Sequence, residues 1–298
     1  MTTPHQPTPH QPVTDALRGW IVAQAESGCR PGDVLAAMLA SGWDEDVAID
    51  ALEKTMLAHL AIKGVPVPLA ALAAEAALPQ PALPGLAAQA GSAFVQAGGR
   101  QVQVLCTVQL PRVAVFGQLL HDDECSGLMA LAAPRLARSE TVHNFTGGTE
   151  VNASRTSDGM FFERGEAPLI SLIEQRIAEL LHWPVDHGEG LQILRYGPGA
   201  EYRPHHDYFD PVHPGTERIL QRGGQRVASL VMYLNTPEGG GATTFPDVGL
   251  NVWPVRGNAV FFSYDRPHVD TRSLHGGAPV TAGEKWVATK WLRQGVFT

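Results

Sequence analysis

The residues best able to do chemistry together end the segment Leu191 to Asp207, which closes on Tyr202-Arg203-Pro204-His205-His206-Asp207. In an extended strand, side chains two residues apart point to the same face, so His205 and Asp207 can hold one ion between them. A second imidazole closes the set, and the best-placed one is His275, separated from Asp207 by enough chain to cross a barrel and return. Two neutral nitrogens and one anionic oxygen on one side of a metal leave three positions open, the geometry of non-haem Fe(II) oxygenases. Such a site is cationic overall and attracts an anionic co-substrate. Ten residues after His275 comes Lys285, on what reads as the last strand. An inward-facing lysine is costly unless it meets an opposite charge, and a dicarboxylate reaching from the metal would supply one. Hydroxyls from Tyr202 and Thr243 can join Lys285, with Gly240-Gly241 letting the chain approach closely beside Thr243. His206, between the two ligands, is expected on the opposite face.

The elements that must position these residues are mainly strands. Beyond Leu191 the chain breaks into short apolar runs separated by Gly/Pro turns: 192–196, 227–234, 242–245, 251–253, 259–263 and 286–292. Many short strands with turn signals imply a sandwich or closed barrel. Upstream, alternation through Val102, Val104, Cys106 and Val108, then Val113 to Phe116, predicts two more strands. Helices are expected from about Asp122 to Leu136 and from Pro168 to Leu181, the latter with Ile170, Ile173, Ile177 and Leu180 on one face. The polar stretch His143 to Phe162 reads as a lid, and Ser263 to Leu274 as a second. Trp253, Trp286 and Trp291 read as core aromatics. The fold class is therefore α+β: a double-stranded β-helix (jelly-roll) core with supporting helices.

Residues 101–298 form this catalytic domain. Ahead of it, residues 14–63 carry a helical period, through Leu17, Trp20, Ile21, Val47, Ile49, Leu52, Met56 and Leu60, broken at Ser27-Gly28 and at Ser41-Gly42-Trp43-Asp44 into about three short helices, with Asp44 as an N-cap. Residues 64–100, rich in Ala, Pro and Gly, read as a linker, and residues 1–13, with their repeated Pro-His-Gln-Pro, as a disordered tail.

Composition narrows the classes. A formal charge of −8 and the lack of a Lys/Arg run argue against a nucleic-acid surface. Cys29, Cys106 and Cys125 form no CxxC pair, so neither a disulfide framework nor a thiolate metal site is expected. With no signal-peptide pattern and no long apolar run, a cytoplasmic protein without a membrane partner is the expectation.

Residues 110–293 resemble the prolyl 4-hydroxylase family of Fe(II)/2-oxoglutarate-dependent dioxygenases. The resemblance rests on Pro111-Arg112-Val113, Arg155-Thr156-Ser157, Tyr202 to Asp207, Gly240-Gly241-Ala242-Thr243-Thr244-Phe245-Pro246, Val252-Trp253-Pro254, Gly257-Asn258-Ala259-Val260-Phe261, His275-Gly276-Gly277-Ala278-Pro279-Val280 and Lys285-Trp286-Val287. It implies Fe(II) on His205, Asp207 and His275, 2-oxoglutarate held by Lys285, Tyr202 and Thr243, O2 as oxidant and ascorbate as an accessory. Arg226 matches an arginine lining the family's peptide groove. The implied reaction hydroxylates a prolyl residue in a peptide or protein and releases succinate and CO2. A free amino acid or small natural product is the alternative substrate. A zinc hydrolase, or an inert peptide-binding module on the same fold, are the alternatives outside the class. Residues 14–63 resemble a ubiquitin-associated-type three-helix module, implying a protein contact, and a bundle packed on the catalytic domain or on a second copy is the other reading.

Overall fold

The computed structural model describes residues 13–29, 31–43, 45–62, 92–139, 141–142, 149–150, 156–211 and 215–298. Residues 1–12 of the tail, residues 63–91 of the linker, Asp44, and residues 143–148 and 151–155 of the first lid lie outside the described residues. The chain divides into two compact units, Met1–Pro79 and Gln80–Thr298.

The first unit contains three helices: α1 (Asp15–Glu26), α2 (Pro31–Ala40) and α3 (Glu45–Ile62). Thr14 caps α1, its hydroxyl accepting from the Leu17 N–H at 3.3 Å, which satisfies one of the donors a helix start leaves open. Glycines at the two predicted breaks, Gly28 and Gly42, both take φ +86°, a conformation costly for other residues. Ile21, Val34, Met38, Ala48 and Ala51 form the buried core. Trp20 and Ile49, expected on the apolar face, are exposed.

The second unit begins earlier than the composition suggests. Strand β1 (Phe94–Ala97) pairs antiparallel with β2 (Arg100–Val108) across Gly98-Gly99, so residues 94–100 are a hairpin and not linker. Both glycines have positive φ, and a Cβ on Gly98 would stand 2.7 Å from the Arg176 side chain. The glycine signal was real, but it marks a tight turn. Next come β3 (Arg112–Gly117), α4 (Asp122–Ala132), the short β4 (Ala137–Arg138), β5 (Thr141–Val142) and β6 (Thr149–Glu150), and then β7 (Asp158–Phe162) and α5 (Pro168–Leu181). Glu124 receives a two-pronged ion pair from Arg176 at 2.6 and 2.7 Å, tying α4 to α5.

After α5 follow β8 (Leu191–Tyr196), β9 (Tyr202–His205), α6 (Thr216–Leu220), β10 (Arg226–Tyr233), β11 (Gly239–Gly240), β12 (Thr243–Phe245), β13 (Leu250–Val252), β14 (Ala259–Ser263), β15 (His275–Gly277), β16 (Val280–Ala282) and β17 (Lys285–Arg293). Among the described residues they build a nine-stranded sheet in the order β1-β2-β3-β14-β10-β17-β8-β7-β4 and a four-stranded sheet β13-β12-β15-β9, with the pairs β11-β16 and β5-β6. This is the expected jelly roll, antiparallel at every pairing described.

Period two sorts the side chains. On β17, Trp286, Ala288 and Leu292 pack with Ile170, Ile173 and Ile177 of α5, whereas Val287 joins Tyr233, Phe245 and Phe262 in the core between the two sheets. Trp253 is 63% exposed and is not the core aromatic its type suggested. No helix among the described residues is long and apolar enough to cross a membrane.

Because each unit has its own core, deletion of residues 1–91 is expected to leave a domain that melts cooperatively. Deletion of residues 1–97 removes buried Val95 and Ala97 and should lower Tm by roughly 5 to 10 °C. Thermal melts of both truncations, with the full chain alongside, check this.

Candidate metal centre and co-substrate pocket

Strand pairing brings the two imidazoles together. In the antiparallel pair β9–β15, His205 stands opposite His275, with ring centroids 4.4 Å apart. Asp207 lies beyond the end of β9, in a bend, so the same-face argument places His205 but not the carboxylate. The bend is held from behind: Arg226 Nη1 donates to the Asp207 carbonyl at 3.4 Å and Ser229 Oγ donates to Asp207 Oδ2 at 2.6 Å. Asp207 Oδ1 is 3.5 Å from His205 Nε2, and its Oδ2 is 3.5 Å from His275 Nε2. One donor atom from each of the three residues falls within 4.8 Å of the others.

Each imidazole has its remote nitrogen tied down. His205 Nδ1 lies 2.9 Å from the Arg203 carbonyl and His275 Nδ1 lies 3.0 Å from the Ser273 carbonyl. A carbonyl only accepts, so each Nδ1 carries the proton and each Nε2 lone pair faces inward, the arrangement that orients metal-binding histidines. Burial raises the Asp207 carboxyl, but His275, His205 and Arg226 outweigh it and hold it well below the usual carboxylate range. Burial also lowers His275 to about 4. With both Nε2 lone pairs turned inward beside one carboxylate, the set suits a divalent cation. His206 turns to Tyr208, stacking on it at 4.6 Å.

The three donors open on one pocket, lined also by Tyr202, Thr243, Lys285, Thr289 and Trp291. Lys285 is 5% exposed, and its side chain has no hydrogen bond or ion pair among the described residues. The rings of Tyr196 and Tyr233 have their centroids 5.5 and 5.8 Å from its Nζ. Burial lowers its pKa to about 8. Gly241, at φ +73°, lies so close that a Cβ there would stand 3.1 Å from Lys285 Cδ. Thr243 accepts from the Tyr233 hydroxyl at 2.8 Å, and Tyr202 stacks on His205 at 3.7 Å. A buried cation across a pocket from three converging donors that could hold a metal fits a dicarboxylate that bridges the two.

Arg226 does not line this pocket. Its guanidinium is bound two-pronged by Glu189 at 2.6 and 2.8 Å and lies over Trp291 at 4.1 Å. Arg293 donates to the same carboxylate at 2.7 Å. The fork of Arg226 is thus occupied within the protein, and its visible role is to hold the Asp207 bend. Sequence reading also missed Glu189, Ser229, Tyr264 and Tyr233. The signal for two of them was present: Ser229 and Tyr233 have the pocket-facing parity in the run Arg226 to Tyr233.

Burial raises the Glu189 carboxyl, but Arg226 and Arg293 prevail and hold it below the usual glutamate range. Its stabilising contribution is therefore full above that range and lost as pH falls through the lowered value. Removing one partner of a buried ion cluster costs about 3 to 5 kcal/mol, so Glu189→Gln should lower Tm by roughly 6 °C or more at neutral pH. Denaturant titrations from pH 7 downward should show the difference from the parent protein shrinking in acid.

Comparison with known proteins defines the class. Residues 191–293, which include His205, Asp207, His275 and Lys285, match the model of the 2OG-Fe(II) oxygenase superfamily. The chain is 40% identical over 208 residues to probable prolyl 4-hydroxylase 3 of Arabidopsis thaliana, covering 63% of this chain and 71% of the relative. It is 38% identical over 216 residues to prolyl 4-hydroxylase 5 of the same plant, covering 65% and 72%. A viral collagen prolyl hydroxylase from Paramecium Bursaria Chlorella virus-1, solved with 2OG, aligns with 29% identity over 61% of this chain and 95% of its own, at a TM-score of 0.47. The chain is a 2-oxoglutarate-dependent Fe(II) dioxygenase. Within that class it belongs to the prolyl 4-hydroxylase family.

Proposed function

We propose that this chain hydroxylates a prolyl residue in a peptide or protein, with His205, Asp207 and His275 holding Fe(II) and Lys285 holding the far carboxylate of 2-oxoglutarate. The observation that carries the site assignment is the buried, unpaired Lys285 lining the same pocket as three converging metal donors. The names of the relatives support the prolyl substrate.

Each residue has a definable task. Lys285 anchors the diacid by charge in a pocket walled by Leu194, Val231 and Val287, where low polarity strengthens the attraction. Tyr233 donates to Thr243, leaving the Thr243 proton to point into the pocket toward that carboxylate. Tyr202, stacked on His205, limits how that imidazole can turn. Arg226, through the Asp207 carbonyl, fixes the bend that presents the third ligand. When bound, Fe(II) supplies the activation of O2 coupled to oxidation of 2-oxoglutarate to succinate and CO2.

In this reading residues 101–298, together with the β1 hairpin strand, are the catalytic domain. The three-helix unit is a protein-contact module joined through residues 63–91. The free thiols Cys29, Cys106 and Cys125 support a reducing, cytoplasmic setting.

Succinate release measured across proline-containing peptides, free proline and other free amino acids tests the substrate. Turnover confined to prolyl peptides, with a gain of one oxygen on the proline ring, is the expected result. Turnover only with free amino acids would overturn the peptide assignment.

A further inference from the structure

We infer that Ser229 and Tyr264 are positioning residues that decide which oxygen of Asp207 meets the metal. The inference rests on the reading that Asp207 is an iron ligand. Three buried side chains, exposed by 7%, 0% and 2%, form a line: Asp207, Ser229 and Tyr264. Ser229 Oγ stands 2.6 Å from Asp207 Oδ2 and 3.1 Å from the Tyr264 hydroxyl.

The direction of the chain follows from proton inventory. An ionised carboxylate only accepts, so the single Ser229 proton goes to Oδ2. Ser229 then has no proton left for Tyr264, and Tyr264 must donate to Ser229. The result is a one-way relay, Tyr264 to Ser229 to Asp207. Hydrogen bonds to a charged acceptor are the strong ones, and this one ties up Oδ2 while Oδ1 remains the freer oxygen. Asp207 is thereby held as a ligand through one oxygen. Without Ser229 the carboxylate can rotate and offer both oxygens, closing a position the co-substrate needs.

Neither residue lines the pocket, so a metal readout separates positioning from contact with substrate. The probe is Co(II), titrated anaerobically into the full chain and followed by visible absorption, then by addition of 2-oxoglutarate. The parent protein should bind one Co(II), and Asp207→Ala should not. Ser229→Ala should bind Co(II) about 10- to 100-fold more weakly, with an altered band shape and a weaker response to 2-oxoglutarate. Ser229→Thr, which keeps the hydroxyl, should restore both, and Tyr264→Phe should fall between. Melting of the metal-free proteins establishes that each is folded. If Ser229→Ala and Tyr264→Phe both match the parent in affinity and band shape, the positioning role is wrong while the triad stands. If Asp207→Ala binds Co(II) as the parent does, the triad reading itself fails and this inference with it.

Discussion

Asp207→Ala is expected to lower 2-oxoglutarate turnover by at least about a thousandfold while the protein stays folded, because the reaction depends on the metal and the jelly-roll core does not. The carboxylate is the only anionic donor among the three that converge. Its removal leaves two neutral imidazoles, which cannot offset the charge of a dication. The variants should stay folded, since the apolar clusters between the sheets and beneath the helices remain intact, while loss of the buried Asp207 carboxylate, or of the His275 ring against Phe262 at 4.3 Å, should lower Tm by several degrees. His205→Ala and His275→Ala should behave alike. Succinate formation at saturating Fe(II), alongside metal content of the purified proteins, makes the measurement. Iron-dependent activity at parental level in any of the three would remove that residue from the centre.

Lys285→Ala is expected to raise the KM for 2-oxoglutarate by at least tenfold with Fe(II) affinity nearly unchanged. Losing one partner of a buried ion pair costs about 3 to 5 kcal/mol, more than two decades, and the Tyr202 and Thr243 hydroxyls retain part of it. Lys285→Arg should rescue only partially, because a planar fork replaces a compact ammonium. The pH dependence gives a second handle. Burial lowers Lys285 to about 8 in the free protein, so the ammonium that the diacid requires is present below that pH and lost above it. The KM should therefore be flat below about pH 8 and climb by up to tenfold per unit above, a climb that Lys285→Ala lacks. Stability moves the opposite way: the cost of burying the ammonium is full below the lowered pKa and is relieved as pH rises through it. An unchanged KM in Lys285→Ala would take this residue out of the co-substrate site.

Much of the site was legible because it depends on local periodicity and on residue types that chemistry restricts. His205 could be placed by strand parity, His275 by a length of chain sufficient to cross the barrel and return, Lys285 by the cost of an unpaired inward charge, and α5 by the spacing of its isoleucines. Other features were hidden for physical reasons. Gly98-Gly99 is ambiguous in sequence, since linkers and tight hairpins both favour glycine, and only the pairing of Val95 with Val102 distinguishes them. Asp207 sits past the strand end, in a bend set by long-range bonds from Arg226 and Ser229 that no local pattern encodes. Glu189 reads as a surface acid until folding puts two arginines against it. Trp253 shows the converse, an aromatic whose type suggests burial but whose place after β13 leaves it in solvent.

Strand β17 is buried along its whole length, yet its two faces answer to different demands. Lys285, Val287, Thr289 and Trp291 line the pocket, while Trp286, Ala288 and Leu292 belong to the packed layer under the helices. Tolerance to substitution along nine consecutive residues should thus flip at every step. For redesign of the reaction, position 289 is the freest, and positions 287 and 291 admit changes that keep the inter-sheet core and the ring under Arg226, so that a library can reshape what enters the cavity. Their immediate neighbours must be held constant, because they fix the shape of the wall on which that library is displayed.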